Sequence, residues 1–306
     1  MNKLIMIFVS LAVLLSGCTL SVDSAEKEEL ENSEVVYDEE ETGNDIEYKS
    51  IGYNNSLFYD SKNFYSTIPK EVDVKLDGVR GIICTHHLLA SELLHEVFQA
   101  VEDRDNYDSV VIVGPDHNTV DSKNIYTTNL DWLTPFGDVK IDNDKLEILK
   151  EYPGVTVDNA LMEIEHSNAA LMHFVSYYFK NAKVVNIAIP GTLDKEESLA
   201  FSHYLDTNIL DKNTLLIASI DFSHYLEYDR ANAEDEETLE AIINKDYNSI
   251  MEFDNDNVDS PQSLISILRF AENNNLRFNL LNNKNSYDII PVDKHSTTSY
   301  FSIIYN

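Results

Sequence analysis

The sequence predicts an α/β fold: a single domain with a largely parallel central sheet flanked by helices. Apolar runs rich in β-branched residues alternate along the chain with segments whose apolar residues recur at helical spacing. Strands that alternate with helices favour a parallel sheet covered by helices. Three of the apolar runs end in histidine or aspartate, so the same pattern predicts a polar site at one edge of the sheet.

Five segments are predicted to be strands. Each is a short apolar stretch bounded by polar or turn-forming residues, which is typical of strands buried on both faces. The clearest is the VVIV run at residues 110–113, which ends in Gly114-Pro115. The predicted strands are residues 79–84, 109–113, 183–189, 214–220 and 299–304.

Five segments between these strands are predicted to be helices. In the first, apolar residues at positions 93, 94, 97, 98 and 101 fall on one helical face. The predicted helices are residues 91–102, 167–179, 194–207, 233–243 and 264–272. Each lies between or after predicted strands, as an α/β domain requires.

Residues 1–18 are predicted to be a lipoprotein signal peptide. Lys3 gives a short positive region, and the apolar run at 4–15 is too short to span a bilayer. The following LSGC sequence resembles the bacterial lipobox, which implies lipidation of Cys18, for example with palmitate. The alternative is an ordinary cleaved signal with an unrelated cysteine. Lipidation predicts a protein anchored in the cell membrane and facing its extracytoplasmic side.

The next segment, residues 19–50, is predicted to be an acidic, disordered linker. It contains twelve acidic residues and two lysines. Such a composition cannot bury enough apolar surface to offset the entropy of ordering, and self-repulsion extends the chain. Residues 51–306 are left as the folded domain.

The overall charge bears on which molecules the protein can bind, and the number of cysteines bears on whether it can form a disulfide. The formal charge is −32, from 54 acidic and 22 basic residues, which excludes nucleic acid because phosphate binding needs a cationic surface. If Cys18 carries lipid, Cys84 has no disulfide partner in the chain. Cys84 is predicted to be buried in the core; a metal-ligand role is the alternative, since His86 follows closely.

Several chemistry-bearing residues stand where predicted strands end. His86 and His87 follow the first strand, His117 the second, and Asp221 and His224 the fourth, while His166 opens a predicted helix. Neutral imidazoles and carboxylates that converge on one loop edge suit a divalent transition metal. For each residue alone, the alternative is an ordinary hydrogen-bonded loop position. The other four histidines are predicted to lie in the core or on the surface: His95, His173, His203 and His295.

The common hydrolase and nucleotide-binding signatures are absent from the sequence. It contains no HExxH, CxxC pair, GxSxG, Walker or dinucleotide-binding glycine pattern. The prediction of function therefore rests on the histidine and aspartate residues at the ends of the predicted strands.

Six segments, in order along the chain, resemble the Memo family, also called AmmeMemoRadiSam system protein B. The resemblance covers about residues 55–305, essentially the whole predicted domain. Its members are similar in fold to class III extradiol dioxygenases, which implies an α/β sheet with a metal-capable cleft. The matching segments are LFYD (57–60), TH (85–86), GPDH (114–117), the W and TPFGDV loop (132–139), EHS (165–167) and DFSHY (221–225).

The resemblance also implies roles for individual residues. His86 and His117 fall on two metal-ligand positions of the family. The family's third position is often a cysteine in a Cys-Gly-x-Gly-Pro stretch, and this chain has VDSPQSL at 258–264 instead. Asp259 is the best counterpart, with Ser260 as the alternative. A carboxylate in place of a thiolate would favour Fe(II) or Mn(II) over copper.

Two functions follow as expectations. In the first, the cleft belongs to a membrane-anchored binding protein that holds a metal, a small molecule or a peptide. In the second, the protein is a metal-dependent oxidoreductase of the dioxygenase type, with His166 or His224 as general acid or base and Asp221 fixing a neighbouring imidazole. Some family members are linked by name to cytoplasmic radical-SAM partners, a role that transfers poorly to an exported chain.

Overall fold

A computed structural model describes residues 52–306, and the predicted signal peptide, lipidation site Cys18 and linker lie outside these residues. Within 52–306, no helix is both long enough and apolar enough to cross a membrane. The described part is an α/β domain whose strands and helices alternate, so the predicted fold class is confirmed.

The described residues contain eleven strands. In chain order they are β1 (Asn54–Asn55), β2 (Gly81–Cys84), β3 (Ser109–Pro115), β4 (Ile125–Thr127), β5 (Trp132–Leu133), β6 (Val155–Val157), β7 (Lys183–Ile189), β8 (Thr214–Ser219), β9 (His224–Leu226), β10 (Phe278–Asn285) and β11 (Thr297–Tyr305). All five predicted strands are confirmed, with boundaries that differ by a few residues at most.

Eleven α-helices connect or cover these strands. They are α1 (Ser61–Ser66), α2 (Ser91–Ala100), α3 (Asn143–Leu149), α4 (Asn159–Ile164), α5 (His166–Ala169), α6 (Met172–Tyr178), α7 (Lys195–Tyr204), α8 (Tyr228–Asn244), α9 (Tyr247–Glu252), α10 (Pro261–Asn273) and α11 (Ser286–Ile289). A π-helical turn, Leu205–Ile209, extends α7.

The main sheet has nine strands, and its parallel centre carries the site. Its order is β10-β11-β2-β8-β3-β7-β4-β6, with β9 paired to β11. Strands β2, β8, β3 and β7 are parallel neighbours, whereas β11 and β4 run antiparallel to the central strands beside them. Because the parallel strands end at the same edge, the loops that follow β2, β3 and β8 meet there.

Both faces of the central sheet are covered by apolar residues. One core lies around Val111, Val113 and helix α10, and the other around Val110, Ile112 and helix α6. The alternation of neighbouring β3 residues between the two cores is the two-residue period of a strand buried on both faces. Cys84 lies in the second core and is buried, as predicted.

The prediction of one continuous helix at residues 167–179 is wrong. Residues 167–179 form two helices, α5 and α6, separated at Ala170 and Leu171. The side chain of Asn168 donates to the Ile187 carbonyl of β7 at 3.1 Å, which ties α5 to the sheet separately from α6. The apolar periodicity runs through both helices and does not reveal this break.

Helix boundaries follow capping residues more closely than apolar spacing. Asp194 and Glu197 form a capping box at the start of α7, as expected for a helix beginning there. Helix α10 begins earlier than predicted because Ser260 caps it and Pro261 occupies its first turn. Ser260 is thus the N-cap residue of a helix at the edge of the cleft described below.

Candidate functional site

The polar site lies in a cleft of about 700 Å³ at the carboxyl end of the parallel strands. His86 follows β2, His117 follows β3, and Asp221 and His224 follow β8. His166 enters from α5, and Asp259 from the loop before α10. The cleft wall contains all six of these predicted residues, together with apolar side chains that include Phe58, Leu88 and Ile189.

Three imidazoles form the centre of the cleft. The rings of His117 and His166 are stacked with their centroids 4.1 Å apart, and the ring of His86 lies 5.3 Å from the first and 5.0 Å from the second. One nitrogen from each histidine falls within a group whose members all lie within 4.8 Å of one another. This arrangement can hold one metal ion with three nitrogen ligands.

Glu165 orients the His117 imidazole. Its Oε1 lies 2.9 Å from His117 Nδ1, and its Oε2 accepts the backbone N–H of His117 at 2.8 Å. The side chain of Asn118 and the backbone N–H of Ser167 also donate to this carboxylate. With Nδ1 engaged, His117 presents Nε2 to the cleft, as a carboxylate-supported metal ligand does.

The Glu165 carboxyl is fully buried and yet ionised. Burial by itself raises its pKa, but the hydrogen bonds and charge of His117 and the N–H of Ser167 lower the pKa to about 2. A buried carboxylate with four donors is stable in place, so the orientation of His117 is fixed by the fold.

A second group of potential ligands shares His86 with the first. His86 Nε2 lies 3.5 Å from Asp221 Oδ2 and 3.5 Å from Asp259 Oδ2. The hydroxyl of Thr85 donates to Asp221, and the backbone N–H of Asp221 donates to Asp259 at 3.1 Å. These contacts place two carboxylates beside His86 in the wall of the cleft.

Burial also sets the ionisation of His86 and Asp259. Burial, with the charges of His117 and His166, lowers the pKa of His86 well below its usual range. Burial, with the charge of Asp221, raises the pKa of Asp259 well above its usual range. The neutral imidazole is the form that binds metals, and a cation beside Asp259 would offset the cost of its burial.

His224 and Tyr225 form another part of the cleft wall. The Nδ1 atom of His224 is buried without a hydrogen-bond partner among the described residues, and burial lowers the pKa of this histidine. Tyr225 is exposed and adopts a left-handed backbone conformation, with φ of 58°. Ser223, just before these two residues, holds the loop in place by donating a hydrogen bond from its hydroxyl to the buried carboxylate of Asp235 at 2.9 Å.

The residues present fit a divalent transition metal. Nitrogen donors converge, a carboxylate orients one of them, and the Oδ1 atom of Asp259 is buried without a hydrogen-bond donor. The predicted ligand set of His86, His117 and Asp259 is divided, however: His117 belongs to the all-histidine group and Asp259 to the carboxylate group. Cys84 belongs to neither group.

Two supporting residues had no role assigned to them from the sequence. Glu165 stood in the EHS segment without a role, although an acidic residue just before a helix is a common N-cap, and here it also caps α5. His87 lines the cleft too, with its Nδ1 2.8 Å from the hydroxyl of the buried Tyr300. No spacing in the sequence indicates the contact between His87 and Tyr300, because 213 residues separate them.

Comparison with solved structures supports the fold. An uncharacterized protein, JW3007, from Escherichia coli K12 superposes with a TM-score of 0.50 at 12% sequence identity, covering 74% of this chain and 99% of that protein. At this identity the similarity concerns the fold alone. It agrees with the α/β fold described above.

Comparison with known sequences identifies the family. A MEMO1 family protein from Methanosarcina mazei is 28% identical over 180 residues, which are 56% of this chain and 64% of that protein. One from Sulfolobus acidocaldarius is 32% identical over 138 residues, 44% of this chain and 49% of that protein. The matches thus span about half to two thirds of these relatives. The model of the Memo-like protein family matches residues 60–304, and the chain therefore belongs to that family.

Proposed function

We propose that the cleft binds one divalent transition metal and that the protein serves as a metal- or ligand-binding protein. The observation that carries this proposal is that one ring nitrogen from each of His86, His117 and His166 lies within 4.8 Å of the others, with His117 oriented by Glu165. A neutral imidazole is a good ligand for Fe(II), Mn(II), copper and zinc.

The carboxylate of Asp259 supports a preference among these metals. It lies beside His86, where a further oxygen ligand would make the donor set harder. We propose that Asp259 favours Fe(II) or Mn(II) over copper, because hard oxygen ligands suit those ions better. A ratio of copper affinity to Mn(II) affinity that is the same in the wild type and in Asp259→Asn would contradict this preference.

We further propose that the protein is lipid-anchored and faces the extracytoplasmic side of a bacterial membrane. The support is the sequence of residues 1–18, with its short apolar run followed by LSGC. In this location the cleft would meet extracellular metals, small molecules or peptides.

An oxidoreductase is the second candidate, and the shape of the cleft favours it. A volume of about 700 Å³ leaves room for a small molecule beside the histidines, and apolar residues such as Phe58 and Leu88 line that space. A bound metal would supply redox chemistry, while His166 or His224 would hold or move a proton. Consumption of dioxygen that depends on added metal and on an added substrate would separate this candidate from a binding protein.

Elemental analysis of the purified full-length protein tests the metal proposal. We expect about one equivalent of metal in the wild type and its loss in His117→Ala. His203→Ala is the matched control, because His203 is an exposed histidine on α7 that does not line the cleft. Equal metal content in wild type and His117→Ala would contradict the proposal.

A further inference from the structure

A β-bulge on strand β9 forms part of the wall of the cleft. Residues of β9 and β11 pair as His224 with Thr298 and Leu226 with Thr297, so two steps along β9 match one step along β11. Tyr225 is therefore the extra residue, without an opposite partner on β11. Such bulges occur often beside functional sites, where they redirect a side chain.

The bulge brings two successive side chains to the same cavity. In a regular strand, neighbouring side chains point to opposite faces, so only one of the two would reach the cleft. Here His224 and Tyr225 both line it. Their ring centroids lie 5.8 Å apart, with the ring planes inclined by 54°. The bulge thus adds a phenol ring to the cleft wall beside the imidazole.

Tyr225 adopts a backbone conformation that suits glycine. Its φ of 58° lies in the left-handed region, which a bulge of this kind usually fills with glycine because a β-carbon is disfavoured there. Before it, the Ser223 carbonyl accepts the backbone N–H of Ser299 at 3.0 Å. After it, the Leu226 carbonyl accepts the hydroxyl of Thr297 at 2.9 Å. The chain is held on both sides, and a large residue between these bonds is strained.

Packing of the Tyr225 side chain does not offset this strain. The residue is 76% exposed, and among the residues that the structure describes it belongs to none of the apolar clusters. Little apolar area is therefore removed from water by its ring. A strained backbone that carries an exposed side chain beside a cavity indicates a role in binding.

The rest of the wall indicates which kind of ligand would contact Tyr225. Apolar side chains, including Phe58, Leu88 and Ile189, line the space beside the histidines. Within residues 52–306, the wall contains three aspartates and neither lysine nor arginine, which disfavours an anion. A volume of about 700 Å³ with an apolar lining and a few polar groups is typical of sites for small organic molecules.

We propose that Tyr225 is a specificity-determining residue that contacts the ligand of the cleft, and that this ligand is an uncharged small molecule with an apolar face. The inference rests on the proposed metal site, because one nitrogen or oxygen atom of the molecule would coordinate the metal. Its apolar face would pack against the phenol ring. The tyrosine then serves ligand binding rather than the stability of the fold.

Binding of two probes to the cobalt-substituted full-length protein tests this proposal. Imidazole and 4-phenylimidazole both coordinate a metal through a ring nitrogen, and the second adds an apolar ring. The visible absorption of cobalt follows both. We expect the preference for 4-phenylimidazole over imidazole to fall about two- to tenfold in Tyr225→Gly, since one aromatic contact is lost, and to persist in Tyr225→Phe. An unchanged preference in Tyr225→Gly would overturn the proposal.

Thermal unfolding of the same variants separates a binding role from a structural one. Lys245→Gly is the matched control, because Lys245 is exposed, has a φ of 54° and does not line the cleft. Tyr225→Gly and Lys245→Gly should shift the Tm by similar amounts, since both replace an exposed left-handed residue by glycine. Only Tyr225→Gly should change the preference between the probes. A Tm more than about 4 °C lower in Tyr225→Gly than in Lys245→Gly would show that the side chain supports the fold, and would contradict the proposal.

Failure of the metal site would be seen separately. If the wild type takes up no cobalt, the proposed metal site is wrong, and the contact is then tested on the metal-free protein by saturation-transfer NMR of 4-phenylimidazole. Transfer to its phenyl protons that is lost in Tyr225→Gly would support the contact without a metal. Equal transfer in both proteins, or none in the wild type, would overturn it.

Discussion

At the scale of single residues, Glu165 holds the imidazole of His117, a candidate metal ligand, in one orientation. Its carboxylate receives hydrogen bonds from both the backbone and the ring of His117 and from the start of α5. It therefore fixes which nitrogen of His117 is free to bind a metal. His166, the next residue in the chain, stacks on His117, so one short segment sets the geometry of two imidazoles.

The substitution Glu165→Gln should weaken metal binding while leaving the three histidine side chains in the cleft. The amide can still contact His117 but no longer carries the charge that makes the imidazole a stronger ligand. We expect metal affinity to fall by about 10–100-fold, measured by competition with a chromophoric chelator. Glu147→Gln, at an exposed residue of α3 that does not line the cleft, provides the control. An affinity of Glu165→Gln equal to that of the wild type would show that Glu165 has only a structural role.

The sequence places the candidate residues in the cleft but does not select the ligand set. His86, His117 and Asp221 could be assigned to one edge because strand ends are visible as apolar runs that stop at polar residues. Whether Asp259 or His166 completes a set with His86 depends on side-chain directions in loops far apart in the chain. The structure offers both combinations, one through His166 and one through Asp259, and neither group is the predicted set of His86, His117 and Asp259.

At the scale of secondary structure, the central elements were predictable and the edges were not. Strands β2, β3, β7 and β8 are predominantly apolar because both faces are buried, and this leaves a clear signal in the sequence. Strand β10 reads FNLLNNKN, a polar sequence with low strand propensity. It forms because β11 offers it an antiparallel partner, which local sequence cannot show.

Buried histidines between helices make stability depend on pH. His173, on α6, packs against Tyr59, Phe64 and Phe174, and burial lowers its pKa to about 3. In the unfolded chain it titrates near its ordinary pKa of about 6.5. Between these two values the unfolded state binds more protons, so stability is lost as the pH falls below about 6.5.

Replacement of this histidine should reduce the acid sensitivity of the fold. We expect the free energy of unfolding of His173→Phe to fall less between pH 6.5 and 4.5 than that of the wild type, by up to about 1.4 kcal/mol per pH unit. Urea unfolding at several pH values measures this slope. An unchanged slope in His173→Phe would contradict the role of burial, and His203→Ala should behave as the wild type.

At the scale of the whole molecule, the sequence divides into a chemistry-bearing domain and an acidic leading segment. Residues 52–306 contain the cleft and the whole of the family match. The formal charge of −32 favours cations over anions as ligands. The proposed metal site in the cleft is consistent with this sign.

Substitution of the predicted lipidation site, Cys18, tests whether the protein is anchored in the membrane. We expect the wild type to incorporate radiolabelled palmitate in its native bacterial host and to fractionate with membranes. The substitution Cys18→Ser should abolish both, because the acylated thiol is lost. Cys84→Ser is the matched control, since Cys84 is buried in the core. A wild-type protein found unlabelled in the cytosol would contradict export.

The most direct test of the central claim is X-ray absorption at the metal edge of the purified, zinc-loaded protein. We predict a first shell of nitrogen and oxygen at about 2.0–2.2 Å with the outer scattering of imidazole rings, and its loss in His117→Ala. No sulfur ligand is expected, because Cys84 lies outside both groups of potential ligands. A sulfur shell at about 2.3 Å, or an unchanged spectrum in His117→Ala, would contradict a histidine-held metal in this cleft.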